Sequence, residues 1–89
     1  MAKLENVNAE RWARFEDTYR AALAAAVTTH PEDYAYLAGN VTPVADRMLA
    51  AVRAGTYNKD GHAFKATCRT LKIKHTYVAI RAYLEGKDE

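Results

Sequence analysis

An apolar stripe near the start of the chain constrains the fold more than any other feature of the sequence. Its large side chains recur at steps of three and four residues: Trp12, Phe15, Tyr19, Leu23 and Val27. This spacing places them along one face of an α-helix. Asn8 is a favourable N-cap and Pro31 cannot continue a helix, so we expect this helix over about residues 8–29.

Two shorter helices are expected after the first. Residues 29–32 (Thr-His-Pro-Glu) match a capping box, which predicts a short helix through residues 33–38. Thr42 and Pro43 then predict a third helix, with a threonine cap and a proline in the first helical position. Gly55 is a suitable C-terminal stop. The apolar face of the third helix consists of Val44, Met48, Leu49 and Val52.

The last third of the chain predicts two more short helices. The inner face of the fourth contains Phe64, Thr67, Cys68 and Leu71, and that of the fifth contains Tyr77, Ile80, Tyr83 and Leu84. Between them lie Lys72, Ile73 and Lys74. We find no strand pattern, repeat or long linker. The sequence therefore predicts a single all-α domain over residues 1–89, a compact bundle of four to five short helices.

Composition argues against several classes of protein. No segment approaches the roughly 20 apolar residues that span a bilayer, and the first residues lack a signal-peptide pattern. We therefore expect a cytoplasmic protein with no membrane partner. Cys68 is the single cysteine, which rules out an internal disulfide and a thiolate zinc cage. Large apolar residues are few, so a monomer would be marginally stable and we expect a homodimer.

The C-terminal third concentrates the positive charge. Residues 59–89 hold seven basic and four acidic residues, whereas the net charge of the whole chain is +2. Residues 61–84 contain no acid, and their basic residues are Lys65, Arg69, Lys72, Lys74 and Arg81. A surface of one sign attracts nucleic acid, although lysine and arginine also simply face solvent in most proteins.

The fourth and fifth helices resemble the helix-turn-helix of bacterial and phage DNA-binding proteins, loosely of the factor-for-inversion-stimulation type. In such motifs a small residue of the first helix lies four positions before a turn glycine, and an apolar residue follows the glycine. Cys68 corresponds to the small residue, Lys72 to the glycine and Ile73 to the apolar residue. Lysine in place of glycine departs from the pattern. The resemblance covers about residues 61–85.

The resemblance implies contacts with double-stranded DNA. Residues at the start and on the outer side of the fifth helix would face base edges in the major groove. These candidates are Lys74, His75, Thr76, Ala79 and Arg81, with Ala79 packing on a thymine methyl group. Basic residues before them would contact the phosphate backbone, which sets affinity and register rather than sequence. These are Lys65, Arg69 and Lys72.

No residues point to catalysis, a cofactor or a metal site. His30, His62 and His75 lack the helical spacing of paired metal ligands. Cys68 falls on a predicted buried face, where a free cysteine behaves as a small hydrophobe. We expect a non-enzymatic DNA-binding protein, such as a transcription regulator or accessory protein of a phage or mobile element.

A second interpretation is a protein–protein interaction module, such as a phage-encoded inhibitor of a host protein. Tyr34, Tyr36 and Tyr57 lie in or beside connections between helices, and tyrosine is enriched at protein interfaces. The alternative for these three rings is that they cover the edge of a small core.

Overall fold

A computed structural model of the chain describes residues 7–55 and 62–86. In these ranges the chain forms helices and no β-strand, which confirms the predicted all-α class. The elements are α1 (Ala9–Thr29), α2 (Pro31–Tyr34), a 3₁₀ turn (Ala35–Leu37), α3 (Val41–Ala54), α4 (His62–Thr70) and α5 (Tyr77–Glu85). None of these helices has the length and apolar character needed to cross a membrane.

Helix α1 begins and ends where the sequence predicts. The backbone N–H groups of Glu10 and Arg11 donate to Asn8 Oδ1 at 2.8 and 3.1 Å, so Asn8 is its N-cap. Glu10 also lies in the first turn, where a negative charge stabilises the positive end of the helix dipole. At the other end, the N–H of His30 donates to the Ala26 carbonyl oxygen at 2.8 Å, and the proline that follows cannot extend the helix.

The capping box predicted at residues 29–32 does not form. The Thr29 hydroxyl donates to the Ala25 carbonyl oxygen at 2.9 Å and so remains engaged with α1. No side chain caps α2, whose first residue is Pro31. The resulting helix is short: α2 has four residues and continues as a 3₁₀ turn of three. Gly39, with φ of 81°, follows in the left-handed conformation.

Helix α3 begins earlier than expected. The predicted start at Thr42 and Pro43 is wrong, because the helix begins at Val41 with Asn40 in the N-cap position. The N–H of Val44 donates to the Asn40 carbonyl oxygen at 3.1 Å, which closes the first turn. Proline is tolerated within this turn, because the first N–H groups of a helix have no intrahelical acceptor.

The core is built on the apolar face of α1. Four residues of the predicted stripe are buried there: Trp12, Phe15, Tyr19 and Leu23. Neighbouring rings stack along the helix, with centroid distances of 5.6 Å between Trp12 and Phe15 and 6.3 Å between Phe15 and Tyr19. Tyr19 also packs on Phe64 of α4, at 5.5 Å. Helix α1 contacts α2, α3, α4 and α5, so it is the central element of the described fold.

The inner faces of α3, α4 and α5 complete the core. Their fully buried members are Ala45, Leu49, Val52, Phe64, Thr67, Cys68, Ile80 and Leu84. Other residues that the sequence placed on these faces are half-buried: Val44, Met48, Leu71, Tyr77 and Tyr83. They lie at the edge because a domain this small encloses only part of its apolar surface.

The connection between α4 and α5 depends on Lys72. Its φ is 63°, and no other non-glycine residue of the described ranges has a positive φ. The N–H of Lys72 donates to the Arg69 carbonyl oxygen at 3.1 Å, and the N–H of Ile73 donates to the Cys68 carbonyl oxygen at 3.0 Å. These two bonds form the Schellman motif that ends α4. Lys72 therefore occupies a position that favours glycine.

Replacing Lys72 with glycine should stabilise the fold. A side chain in the left-handed conformation costs about 1 kcal/mol relative to glycine, which adopts it freely. For a domain of this size the gain raises the melting temperature by about 4–8 °C, measured by thermal denaturation with circular dichroism. Lys74→Gly is the control: Lys74 lies in the same connection without a positive φ, so the change should lower the melting temperature. A Lys72→Gly protein that melts no higher than wild type contradicts the strain.

Candidate nucleic-acid interface

Helix α5 begins at a threonine cap. The Thr76 Oγ1 atom accepts a hydrogen bond from the Ala79 N–H at 3.3 Å, and the Thr76 backbone is extended, as an N-cap requires. The hydroxyl hydrogen of Thr76 remains a donor that can turn toward solvent. Thr76 therefore fixes where α5 starts, and its exposed side chain lies at the end of the helix that the sequence predicts to face base edges.

The residues predicted to contact bases do not all face solvent. Three are exposed: Lys74, His75 and Thr76. Two are half-buried: Ala79 and Arg81. Val78, which the prediction omitted, is 76% exposed. Val78 falls outside the apolar face that includes Ile80 and Leu84, so the spacing allows its exposure but does not decide between Val78 and Ala79 as the outward side chain.

Arg81 is held by an ion pair within α5. Its Nε atom donates to Glu85 Oε2 at 3.0 Å, one helical turn away. This hydrogen bond is the main reason that the pKa of Arg81 is raised, followed by the negative charge of the same carboxylate. Glu85 lies one position beyond the acid-free stretch of residues 61–84. The predicted stretch of unopposed charge is therefore compensated at its C-terminal end.

The predicted phosphate contacts, together with Lys74 from the predicted base contacts, divide between two places. Lys72 lies close to Lys74 in the connection, and both side chains are exposed. Lys65 and Arg69, one turn apart on α4, line a groove of about 550 Å³ between α4, α2 and the C-terminal half of α1. Within residues 7–55 and 62–86, none of these four side chains forms an ion pair. Among the described residues, four positive charges without an ion-pair partner thus follow α4 and the connection, and Asp33 lines the same groove as Lys65 and Arg69.

Two of the tyrosines predicted as an interface lie in the described residues, and the ring centroids of Tyr34 and Tyr36 are 6.5 Å apart. Tyr34 is buried, with its ring stacked on His62 at 5.9 Å, so it covers the edge of the core. Burial is the main reason that the pKa of the Tyr34 hydroxyl is raised, and Tyr36 and Asp33 add to the shift. Tyr36 is 63% exposed. Tyr57 lies outside the described residues.

Cys68 lies in the core beneath the interface. It is 1% exposed, and burial raises the pKa of its thiol to about 12. A thiol with this pKa is neutral near pH 7 and is a poor nucleophile. In the described part of the chain, no three histidine, cysteine, aspartate or glutamate side chains converge closely enough to hold a metal ion.

The described surface thus combines three features: a capped helix end, a left-handed turn at Lys72, and cations along α4 and the connection. No protein-family model, curated protein or solved structure matches the chain. Proposals about function therefore depend on these side chains and their geometry.

Cys68 should resist alkylation while the protein is folded. With a thiol pKa of about 12, the reactive thiolate is a very small fraction of the native protein at mildly alkaline pH. Iodoacetamide, followed by mass spectrometry, should modify the native protein at least about a hundredfold more slowly than the protein in guanidinium chloride. A Cys68→Ser variant controls for modification at other residues. Similar rates in the native and unfolded states contradict the buried position.

Proposed function

We propose that the protein binds double-stranded DNA through a helix-turn-helix formed by α4, the connection of residues 71–76, and α5. The observation that carries the proposal is the geometry of the connection. Lys72 is left-handed, four residues after the buried Cys68, and half-buried Ile73 follows it. A helix-turn-helix joins two short helices through a turn that often contains glycine, with the second helix presented to the major groove. The six-residue connection here is longer than the usual turn of three or four residues.

The start of α5 has the side chains that major-groove contact requires. In docked motifs of this kind, N-terminal residues of the second helix contact base edges. Lys74 and His75 are exposed immediately before the cap, and both carry hydrogen-bond donors. Ile80 and Leu84 are fully buried and hold the opposite face of α5 against the core. The N-terminal end of α5 is therefore accessible to a partner, while its opposite face remains packed on the core.

The cations of α4 and the connection fit the role of phosphate contacts. Lys65, Arg69 and Lys72 have no ion-pair partner among the described residues, so their charges are available to an external anion. Lys65 and Arg69 are one turn apart, which suits successive phosphates of one strand. Arg81 contributes less, because Glu85 already compensates its charge. The protein would act by occupying a duplex site, with no chemistry of its own.

The decisive experiment is binding to random duplex DNA over a salt series. Each lysine–phosphate contact that is lost should reduce the slope of log K against log salt by about 0.9. Lys72→Ala should produce this change, and Lys74→Ala, which removes one positive charge beside the duplex, should flatten the slope by about one charge as well. Arg81→Ala should produce a smaller change, since Glu85 already pairs with Arg81. Fluorescence anisotropy with labelled duplex measures all of these affinities.

Arg47→Ala is the matched control, because Arg47 is an exposed cation on α3. It removes the same formal charge and should leave the slope of wild type unchanged. An equal effect of Arg47→Ala and Lys74→Ala would show that net charge alone drives binding. No detectable affinity at low salt would overturn the proposal.

We further propose that the protein binds DNA as a homodimer. Two copies related by a twofold axis would place two α5 helices in successive major grooves and read a palindromic site. Multi-angle light scattering at micromolar concentration should give twice the 9.9 kDa mass of one chain. A single species at the mass of one chain, unchanged on dilution, refutes the dimer.

Tyr36 supports a second candidate function, binding to another protein such as a host enzyme. Its ring is 63% exposed beside a groove of about 490 Å³, which Pro43, Val44 and Met48 also line. Tyrosine next to an apolar groove is typical of protein interfaces. Tyr36→Ala should leave the DNA affinity of wild type unchanged, whereas loss of DNA affinity in this variant would place Tyr36 at the nucleic-acid surface instead.

A further inference from the structure

Val78 is an apolar side chain that folding does not account for. It is 76% exposed, and the other exposed large apolar side chain among the described residues is Tyr36. It lies in the first turn of α5, where valine has a lower helix propensity than alanine. The core contacts of α5 are made by Ile80 and Leu84. Val78 therefore contributes little to packing or to helix stability, and its side chain is available for contact with a partner.

The surroundings of Val78 are polar and positively charged. Thr76 caps the helix two residues earlier, and Lys74 and His75 precede the cap, all with exposed side chains. In a docked helix-turn-helix, this end of the second helix meets base edges. The apolar group that base pairs present in the major groove is the 5-methyl group of thymine. An exposed valine at this end is complementary to that methyl group and to no group of a G·C pair.

Arg81 favours the same assignment. Arginine is the usual reader of guanine, because its guanidinium donates two hydrogen bonds to O6 and N7. Arg81 is the arginine of α5, and its Nε atom donates to Glu85 at 3.0 Å. The ion pair holds the guanidinium along its own helix. Contact with guanine by the remaining guanidinium N–H groups would have to occur from this held position, whereas contact between Val78 and a thymine requires no rearrangement.

We propose that Val78 packs on the 5-methyl group of a thymine and makes the protein selective for duplex sites that contain A·T pairs. This inference rests on the proposed DNA binding. It moves the thymine contact by one residue, because the sequence assigned that contact to Ala79. Ala79 is half-buried, and its side chain lies about 100° further round the helix from Val78.

The test compares thymine with uracil, which lacks the 5-methyl group. Duplexes that wild-type protein enriches from a random pool are resynthesised with deoxyuridine at each thymine in turn. At one or two positions the change should weaken wild-type binding about fourfold, which corresponds to about 0.8 kcal/mol for one buried methyl-sized group. Val78→Ala should bind the thymine duplex about as weakly as wild type binds the uracil duplex. It should also lose its response to uracil at those positions.

Tyr36→Ala is the matched control, because it removes the other exposed apolar side chain and should keep the full response to uracil. Val78→Ala does not endanger folding, since alanine is the better helix former at an exposed position. Equal uracil responses in wild type and Val78→Ala overturn the thymine contact, and so does a pool that fails to enrich. If salt-dependent binding to the random pool persists in these cases, the proposed function stands. If no duplex binds at low salt, both fail.

Discussion

The aromatic row of α1 is the interaction on which the rest of the structure depends. Tyr19 is fully buried and packs between Phe15 of its own helix and Phe64 of α4. Phe15 also meets Tyr83 of α5 edge to face, at 6.1 Å. Helices α4 and α5 have nine residues each, and helices of this length are not stable alone in water. Helices α4 and α5 therefore form, and are oriented relative to each other, because they pack on α1. An interface made by these two helices also requires that packing.

The connection between α4 and α5 is fixed at both of its ends. On one side the Schellman bonds of Lys72 and Ile73 end α4, and on the other Thr76 caps α5. Few residues remain between these two constraints, so the backbone has little freedom to change the angle between the helices. A connection of this kind presents α5 as a rigid element, which reduces the conformational entropy lost when a partner binds.

Much of the fold followed from spacing and local chemistry. The stripe of α1, its Asn8 cap and the Gly55 end of α3 all depend on neighbours within a few residues of each other. The prediction at Thr29 failed because a hydroxyl at the end of a helix can bond back to the carbonyl oxygen four residues earlier. The Thr29 hydroxyl can either cap α2 or bond to the Ala25 carbonyl oxygen, and these two hydrogen bonds have similar free energies. The capping-box pattern alone does not show which of them forms.

The candidate site was less predictable for a different reason. Burial of Tyr34 depends on stacking with His62, which is 28 positions away in the sequence and comes close only through the packing of α2 beside α4. Exposure of Val78 depends on the rotation of α5 about its axis, whereas the pairing of Arg81 with Glu85 follows from their spacing of four residues within one helix. A shift of one residue in that rotation exchanges Val78 for Ala79 as the outward side chain. Helical periodicity defines such a rotation only to within about one residue.

Lys72 connects the stability of the fold to its proposed function. The left-handed conformation at this position opposes any residue with a Cβ atom, and glycine would relieve the strain. A residue with a Cβ atom normally avoids a positive φ. When such a residue keeps this conformation without a gain in packing, the position is often a functional one. The side chain of Lys72 is exposed, so its contribution to the core is small, and its charge adds to that of Lys74 close by in the connection. The proposed DNA binding would account for this strain, because it gives the charge of Lys72 a phosphate to contact.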